Sequence, residues 1–255
     1  MTTEALGQLT PTIFPTETSH ETQPKQMLVT THGTELFAQH PDCRDVFINR
    51  ARGFIDPSLT RPADCKMIGN GNCGRVYELP GFAEQCFKIS TPDTMRIRKI
   101  DLELCPPPPN LISELRFMSA LQKYFAKRPE TGIHVPKPYA AITFENGTAL
   151  LQERIPQHFE SLKKIATKDI FSPNELYEQE ELLIARVQKS LGATALRLGI
   201  GDLRGTGKRL NGGNIFTDQP ENPAQGNLYI IDLIGNSKLR RIVASLIARA
   251  YPNDC

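Results

Sequence analysis

A glycine-rich segment at residues 68–77 constrains the fold of this chain more than any other part of its sequence. It has the pattern G-x-G-x-x-G-x-V, which is formed by Gly69, Gly71, Gly74 and Val76. Glycines at this spacing are typical of loops in which a Cβ would block the approach of the backbone to a phosphate. The residues after Gly74 include β-branched and aromatic side chains and run into a Pro-Gly pair at 80–81. The segment therefore predicts a turn between two antiparallel strands, and not the opening turn of a dinucleotide-binding helix.

A lysine in the next extended run is a second candidate site residue. Three strand-like runs are predicted between residues 65 and 89, and the third carries Lys88 among apolar neighbours. This lysine needs a partner, because burial of an unpaired ammonium group is costly. Glu114, on a helix predicted over about 111–127, is the candidate for that ion pair. The alternative is a lysine that extends to solvent and a glutamate on a solvated helix face.

Three polar residues in the second half of the chain suggest a phosphate and metal site. Asp202 is followed by Asn214 in an Asn-Ile-Phe run, and then by Asp232 in an apolar strand that ends in Asp-Leu-Ile-Gly. Mg²⁺ prefers oxygen ligands and usually takes one or two carboxylates from a protein. We therefore predict Asp232 as the principal Mg²⁺ ligand and Asn214 as the second. Asp202 is predicted as the base or the group that orients the acceptor hydroxyl.

The order of elements predicts an α+β fold. Asn146-Gly147 lies between two apolar runs, which indicates a hairpin over about 138–155. Further along, the chain is predicted to form a long helix, two short strands and a basic amphipathic helix, at 174–198, 214–217, 227–232 and 237–250. Strands and one helix thus come first, and helices with a small hairpin follow. The strict βαβ alternation of a parallel sheet is not seen.

The first 64 residues differ in character from the rest. Residues 1–26 are dominated by Thr, Pro, Gln, Glu and Ser, a composition too polar to bury a core, so a flexible tail is predicted. Residues 27–64 form a lead-in segment with a short helix near 42–52. A polar leader rich in Ser and Thr is also found on bacterial effectors delivered by dedicated secretion machines. Delivery into a host cell is therefore the alternative to the cytoplasmic location that we expect.

Composition excludes several classes of protein. Hydrophobic residues make up 39% and charged residues 23%, which is typical of a globular chain and not of a disordered one. Thirty basic and twenty-eight acidic residues leave a net charge of +2, too small for the field of a dedicated nucleic-acid binder. No apolar run approaches the ~18 residues of a membrane span, and the six cysteines form no C-x-x-C pair. We therefore expect neither a nucleic-acid partner nor a membrane span.

Taken together, these motifs resemble the protein-kinase-like superfamily. Within it the chain looks most like the small bacterial family typified by YrbL of the PhoP regulatory network. The similarity spans about residues 66–240 and is carried by the glycine segment and by the runs at 86–89, 114–116, 135–138, 151–155 and 214–235. The resemblance implies a bilobal fold, with an antiparallel-sheet N-lobe at 65–155 that includes one helix. It also implies a minimal, mostly helical C-lobe at 156–255.

The resemblance further implies ATP as the cofactor, bound with Mg²⁺ in the cleft of a kinase. The catalytic and metal-binding residues that it implies are Lys88, Glu114 and Asp202 for catalysis and Asn214 and Asp232 for the metal. The nucleotide-binding residues that it implies are Gly69, Gly71, Gly74, Val76, Lys88, Glu153 and Ile155. The phosphate acceptor stays open, and is either a Ser, Thr or Tyr hydroxyl of a protein or a small molecule.

The segment around Asp202 departs from the kinase pattern. Ile200-Gly201 stands where protein kinases have His-Arg, and eleven residues, against four, separate Asp202 from Asn214. Either this basic, glycine-rich insert loops out with a basic side chain toward phosphate, or Asp202 is not the base. The alternative function is therefore a catalytically inactive nucleotide-binding module, a pseudokinase that signals to a partner. A purely structural or interaction protein is the third hypothesis.

Overall fold

A computed structural model describes residues 10–12, 24–71, 74–91, 111–168, 170–191 and 214–231. The chain divides into two compact units. The first consists of Met1–Ser119 and Lys137–Arg154, and the second of Ala120–Pro136 and Ile155–Cys255. The strands are β1 (Thr10–Thr12), β2 (Gln26–Val29), β3 (Met67–Gly71), β4 (Gly74–Leu79), β5 (Phe82–Ser90), β6 (Ile133–His134), β7 (Pro138–Thr143), β8 (Thr148–Glu153), β9 (Glu160–Ser161), β10 (Ile215–Thr217) and β11 (Leu228–Ile230). The helices are α1 (Thr31–Gln39), α2 (Pro41–Ile55), α3 (Leu111–Ala126), α4 (Leu162–Ile165) and α5 (Pro173–Leu191).

The first unit is built on a seven-stranded antiparallel sheet in the order β1-β2-β7-β8-β5-β4-β3. Strands β3, β4 and β5 are the three runs predicted around the glycine segment, and β7 and β8 form the hairpin predicted at Asn146-Gly147. The turn of that hairpin is closed by the Phe144 N–H, which donates to the Gly147 carbonyl at 2.8 Å. The mixed fold with an antiparallel sheet agrees with the α+β prediction.

Helices α1 and α2 cover one face of this sheet. Helix α1 packs on β2 and β7, and α2 packs on β5 and β8. Thr30 caps α1, since its hydroxyl accepts from the Gly33 N–H at 3.0 Å. The short helix predicted near 42–52 is confirmed, and it continues three residues beyond the predicted end; Pro41 begins it at a position where no N–H is needed.

The structure differs from the predicted flexible tail at Thr10–Thr12. This strand pairs antiparallel with β2, with Thr10 opposite Val29 and Thr12 opposite Met27. Main-chain pairing explains the difference, because a strand at the edge of a sheet gains hydrogen bonds that do not depend on apolar side chains. Composition alone does not reveal such pairing.

Helix α3 matches the helix predicted at 111–127. Its buried residues recur at helical spacing and include Leu111, Leu115, Met118, Leu121 and Phe125. The first part of the helix belongs to the first unit and the part from Ala120 to the second. In the second unit the Tyr124 hydroxyl donates to the Ser190 carbonyl on α5 at 2.5 Å.

The second unit contains a four-stranded sheet in the order β6-β11-β10-β9. Strands β10 and β11 confirm the strand pair predicted at 214–217 and 227–232, and α5 confirms the described part of the helix predicted at 174–198. Ile133, Ile215, Leu228 and Ile230 are fully or almost fully buried on one face of this sheet. The predicted helix at 237–250 lies outside the described residues.

One arginine joins three segments of the second unit. Arg186 on α5 donates through Nε to the Thr131 carbonyl at 3.1 Å, and through Nη1 to the carbonyls of Ala224 and Gly226 at 3.1 and 2.6 Å. Burial lowers the pKa of Arg186, because the charged form loses hydration. These bonds tie the helix to the turn before β6 and to the loop before β11.

Candidate nucleotide site

The centre of the candidate site is a buried ion pair in the first unit. Lys88 Nζ lies 2.8 Å from Oε1 and 3.2 Å from Oε2 of Glu114. Lys88 is 3% exposed and Glu114 is 8% exposed. The structure thus brings together the two residues that were predicted to pair, and excludes the alternative of two solvated side chains.

The strand that carries Lys88 is central in the sheet. Strand β5 lies between β4 and β8, with Val76 and Leu150 directly opposite Lys88. Successive residues of a strand point to opposite faces, so Phe87 and Ile89 point toward α2 and Lys88 toward the other face. A lone ammonium group in this position would be costly, and the carboxylate on α3 offsets that cost.

The glycine segment forms the hairpin of β3 and β4 at the edge of the sheet. Gly69 lies opposite Val76, and Gly71 lies opposite Gly74. Gly74 has a φ of +142°, and a Cβ there would lie 2.4 Å from the Ile89 carbonyl oxygen. A Cβ at Gly69 would meet the Val76 side chain at 3.4 Å, an ordinary distance. The two glycines therefore differ, because only Gly74 is required for the close packing of β4 on β5.

The face of the sheet that bears Lys88 also carries Val76, Cys86, Leu150 and Gln152, because residues opposite each other in the register share a face. The Cys86 thiol donates to the Glu153 carbonyl, with 3.7 Å between sulfur and oxygen. Burial raises the pKa of Cys86 to about 12, so this thiol is neutral at physiological pH. Two apolar residues, a neutral thiol and an amide thus lie around Lys88 on this face of the sheet.

Glu153 and Ile155, the other predicted nucleotide contacts, lie at the end of β8. The Glu153 N–H donates to the Lys137 carbonyl at 2.8 Å, and its carboxylate accepts from the Lys137 N–H at 3.0 Å. Arg154 Nη2 lies 2.9 Å from the Glu78 carboxylate. The end of this strand is therefore held by both backbone and side-chain bonds. Glu153 belongs to the first unit and Ile155 to the second.

The predicted metal ligands lie in the second unit. Asn214 immediately precedes β10, and its carbonyl accepts from the Ile231 N–H at 2.9 Å. Asp232 follows Ile231 in the sequence but lies outside the described residues, as do Asp202 and the basic insert. The catalytic loop and the metal site therefore stay predictions.

The chemistry of this donor set suits Mg²⁺. The predicted pair, an amide oxygen from Asn214 and a carboxylate from Asp232, would supply the hard oxygen ligands that Mg²⁺ prefers. Within the described ranges, no group of three or more His, Cys, Asp and Glu side chains is arranged to hold a metal ion. The same ranges contain no helix long and apolar enough to cross a membrane.

The aromatic residues that pack on the other face of the Lys88 strand were not predicted from the sequence. Phe47 and Phe54 on α2 pack with Tyr77 and Phe87, and the closest rings, Phe54 and Tyr77, have centroids 4.1 Å apart. The two phenylalanines are seven residues apart, a spacing that marks one face of a helix. The sequence therefore shows that this helix has an apolar face, but it does not show that the face packs on the strand of Lys88.

Comparison with known proteins shows limited similarity. No protein-family model and no curated protein sequence matches the chain. Two solved structures of the PknI kinase domain of Mycobacterium tuberculosis are similar, a double mutant at 14% identity and TM-score 0.32 and a single mutant at 15% and 0.31. The matches cover 66% and 68% of this chain and 57% and 60% of those chains, so the chain spans less than two thirds of either domain. At these TM-scores the likeness carries no weight, and the YrbL-like relationship stays a prediction.

Proposed function

We propose that this chain is an ATP- and Mg²⁺-dependent phosphotransferase of the protein-kinase-like type. The observation that carries the proposal is the buried ion pair in which Lys88 contacts both carboxylate oxygens of Glu114. Lys88 lies on the strand that follows the glycine hairpin, and Glu114 lies on the next helix. A glycine-rich hairpin, a lysine on the third strand and a glutamate on the next helix are the parts with which protein kinases hold ATP phosphates.

The energetics of the pair favour a ligand-binding role. Replacing a buried ion pair by well-packed apolar residues is often neutral or stabilising, so stability alone is a weak reason to keep one. Phosphate oxygens need a positive charge held in a defined position, and a carboxylate at 2.8 Å holds the ammonium group in place. Lys88 would contact the α- and β-phosphates, with Glu114 as the residue that orients it.

The remaining roles follow from the same proposal. The backbone of the glycine hairpin would cover the phosphates, and Glu153 and Ile155 would contact the base. Asn214 and Asp232 would hold Mg²⁺, which neutralises charge on the phosphates during transfer. Asp202 would accept the proton of the acceptor hydroxyl, which belongs to a protein or a small molecule.

Nucleotide-dependent stabilisation tests the proposal. ATP with Mg²⁺ should raise the melting temperature, since a ligand at a hundred times its Kd adds about 2.7 kcal/mol to the free energy of unfolding. Lys88→Met with Glu114→Gln should weaken Mg·ATP binding about tenfold or more and reduce the shift accordingly. Lys25→Ala, which removes an exposed lysine just before β2, is the matched control and should retain the full shift. An unchanged melting temperature of the wild-type protein at millimolar ATP contradicts the proposal.

The second candidate function is a nucleotide-binding pseudokinase. The sequence feature that favours it is Ile200-Gly201 in place of the His-Arg pair before the aspartate. The two functions separate in an assay of γ-phosphoryl transfer from labelled ATP to lysate proteins and small molecules. Transfer by the wild type that is lost in Asp232→Ala indicates an enzyme. ATP binding without transfer indicates the pseudokinase.

A further inference from the structure

Helix α2 packs on the strand that bears Lys88. It contacts β5 and β8 on the face of the sheet opposite the Lys88–Glu114 pair. Phe87 and Ile89, the two neighbours of Lys88, are fully or almost fully buried in the core cluster that includes α2. Strand β5 is therefore held from both sides, by α2 at Phe87 and Ile89 and by α3 at Lys88.

A stack of three aromatic rings connects α2 to both strands of the candidate phosphate site. The ring centroids of Phe54 and Tyr77 are 4.1 Å apart, and those of Tyr77 and Phe87 are 5.7 Å apart, with interplanar angles of 27° and 28°. Tyr77 on β4 lies opposite Phe87 on β5, one residue from the pair of Val76 and Lys88. The stack thus joins α2 to β4 and to β5, at positions adjacent to Val76 and Lys88.

The end of α2 makes a second connection to β5. A Cβ on Gly147 would lie 3.2 Å from Ile55 Cγ2 and 2.7 Å from the Ser90 carbonyl oxygen. The last residue of α2, the turn between β7 and β8 and the last residue of β5 therefore meet at this glycine. Packed interiors of this kind do not deform continuously, so a change in α2 is transmitted to β5.

We propose that α2 stabilises the candidate phosphate site by packing on the opposite face of the sheet, and that Phe54 is a positioning residue for Lys88. The inference rests on the proposed nucleotide function. Phe54 holds β4 against β5, so that the glycine hairpin and the Lys88 ammonium group meet the same phosphates. Such groups must be held within about 0.5 Å of their working positions, by side chains that are themselves locked by packing.

Phe54 is suited to a test because it is only partly buried. Phe47 and Phe87, two other members of the cluster, are fully buried, so we expect them to stay in place when Phe54 is truncated. Phe37 on α1 is a matched control. It is also partly buried and packs against the same cluster, but its helix covers β2 and β7 and not the strand of Lys88.

The measurement is the ratio of the affinities for Mg·ATP and for adenosine, by calorimetric titration of the full chain. Lys88 would contact phosphate, so Lys88→Met with Glu114→Gln, which leaves no unpaired charge, should weaken Mg·ATP about tenfold or more and leave adenosine unchanged. Because a misplacement of about 1 Å can cost up to ~10²-fold at a positioned group, Phe54→Ala should lower the ratio about five- to twentyfold. Phe54→Tyr keeps the ring and should restore it. Phe37→Ala should lower the melting temperature by about as much as Phe54→Ala does, but it should keep the wild-type ratio of Mg·ATP to adenosine affinity.

The outcomes separate this inference from the function on which it rests. A wild-type protein that does not bind Mg·ATP overturns both. A wild-type protein that binds, with an unchanged ratio in Phe54→Ala, overturns the inference and leaves the function intact. If Phe54→Ala does not fold, Phe54→Leu takes its place. A ratio for Phe54→Leu equal to that of the wild type overturns the inference, and a reduced ratio supports it.

Discussion

Each unit of this protein holds a cation that is at least partly buried, and the two cations bind different kinds of partner. Lys88 in the first unit contacts a carboxylate, Glu114, at 2.8 Å. Arg186 in the second unit donates to main-chain carbonyls, including those of Thr131 and Gly226. Carbonyl oxygens hold chain segments together, so folding accounts for Arg186. Folding alone does not account for Lys88, because apolar residues would fill its place at least as well.

Loss of the carboxylate should have the largest effect. Glu114→Leu leaves the Lys88 ammonium group buried without its carboxylate, and we expect a loss of about 3–5 kcal/mol in the free energy of unfolding by urea. Lys88→Met combined with Glu114→Leu should recover most of that stability, because neither charge remains. The recovered double variant should bind Mg·ATP about tenfold or more weakly than the wild type and bind adenosine equally well. A double variant as unstable as Glu114→Leu would contradict this view of the pair.

Substitution by alanine should have different effects on stability at Gly74 and Gly69, the two glycines compared in the hairpin. Gly74→Ala places a Cβ against the Ile89 carbonyl at a positive φ, and we expect a loss of about 2–4 kcal/mol from strain and overpacking. Gly69→Ala is the matched control and should change stability by less than about 1 kcal/mol. Thermal unfolding measures both. If the two variants lose equal stability, packing on β5 is not the reason for Gly74.

Removal of the guanidinium should cost stability but not ligand binding. Arg186→Ala leaves three carbonyl acceptors without this donor, and we expect a loss of about 2–3 kcal/mol in chemical unfolding. No single apolar substitution at a partner restores it, since the partners are main-chain atoms. The ratio of Mg·ATP to adenosine affinity should stay at the wild-type value. A change in that ratio would place Arg186 in the site and remove the contrast with Lys88.

The smallest expected effect is a loss of stability at alkaline pH, which tests whether the Lys88 face excludes water. The folded pKa of Cys86 is about 12 against 9.0 for an unperturbed thiol. Above pH 9 the unfolded chain releases this proton and the folded chain keeps it, so stability falls as pH rises. Between pH 8 and 10 the expected loss is about 1 kcal/mol. The Cys86→Ala variant should lose less stability than the wild type between pH 8 and 10, by the amount that Cys86 contributes. Equal pH dependence in both proteins would mean that water reaches the thiol.

Much of the first unit was predictable, because its signals are local. The Asn146-Gly147 pair marked the β7–β8 hairpin, and the helical spacing of Leu111, Leu115 and Met118 marked α3. The pairing of Lys88 with Glu114 was also predicted, since one apolar strand and one helix each offered a single suitable charge. The roles of Asp202 and Asp232 stay predictions, because neither lies among the described residues.

The sequence by itself determined the glycine hairpin, the lysine strand and the helix that carries Glu114. Turn chemistry and periodicity act between residues close in the chain, so they can be recognised without a fold. Only the tertiary structure decided that Thr10–Thr12 joins the sheet and that Phe54 stacks on Tyr77 behind Lys88. Such contacts depend on which surfaces meet after the sheet has formed. An amphipathic helix shows that it has an apolar face, and packing alone decides what that face covers.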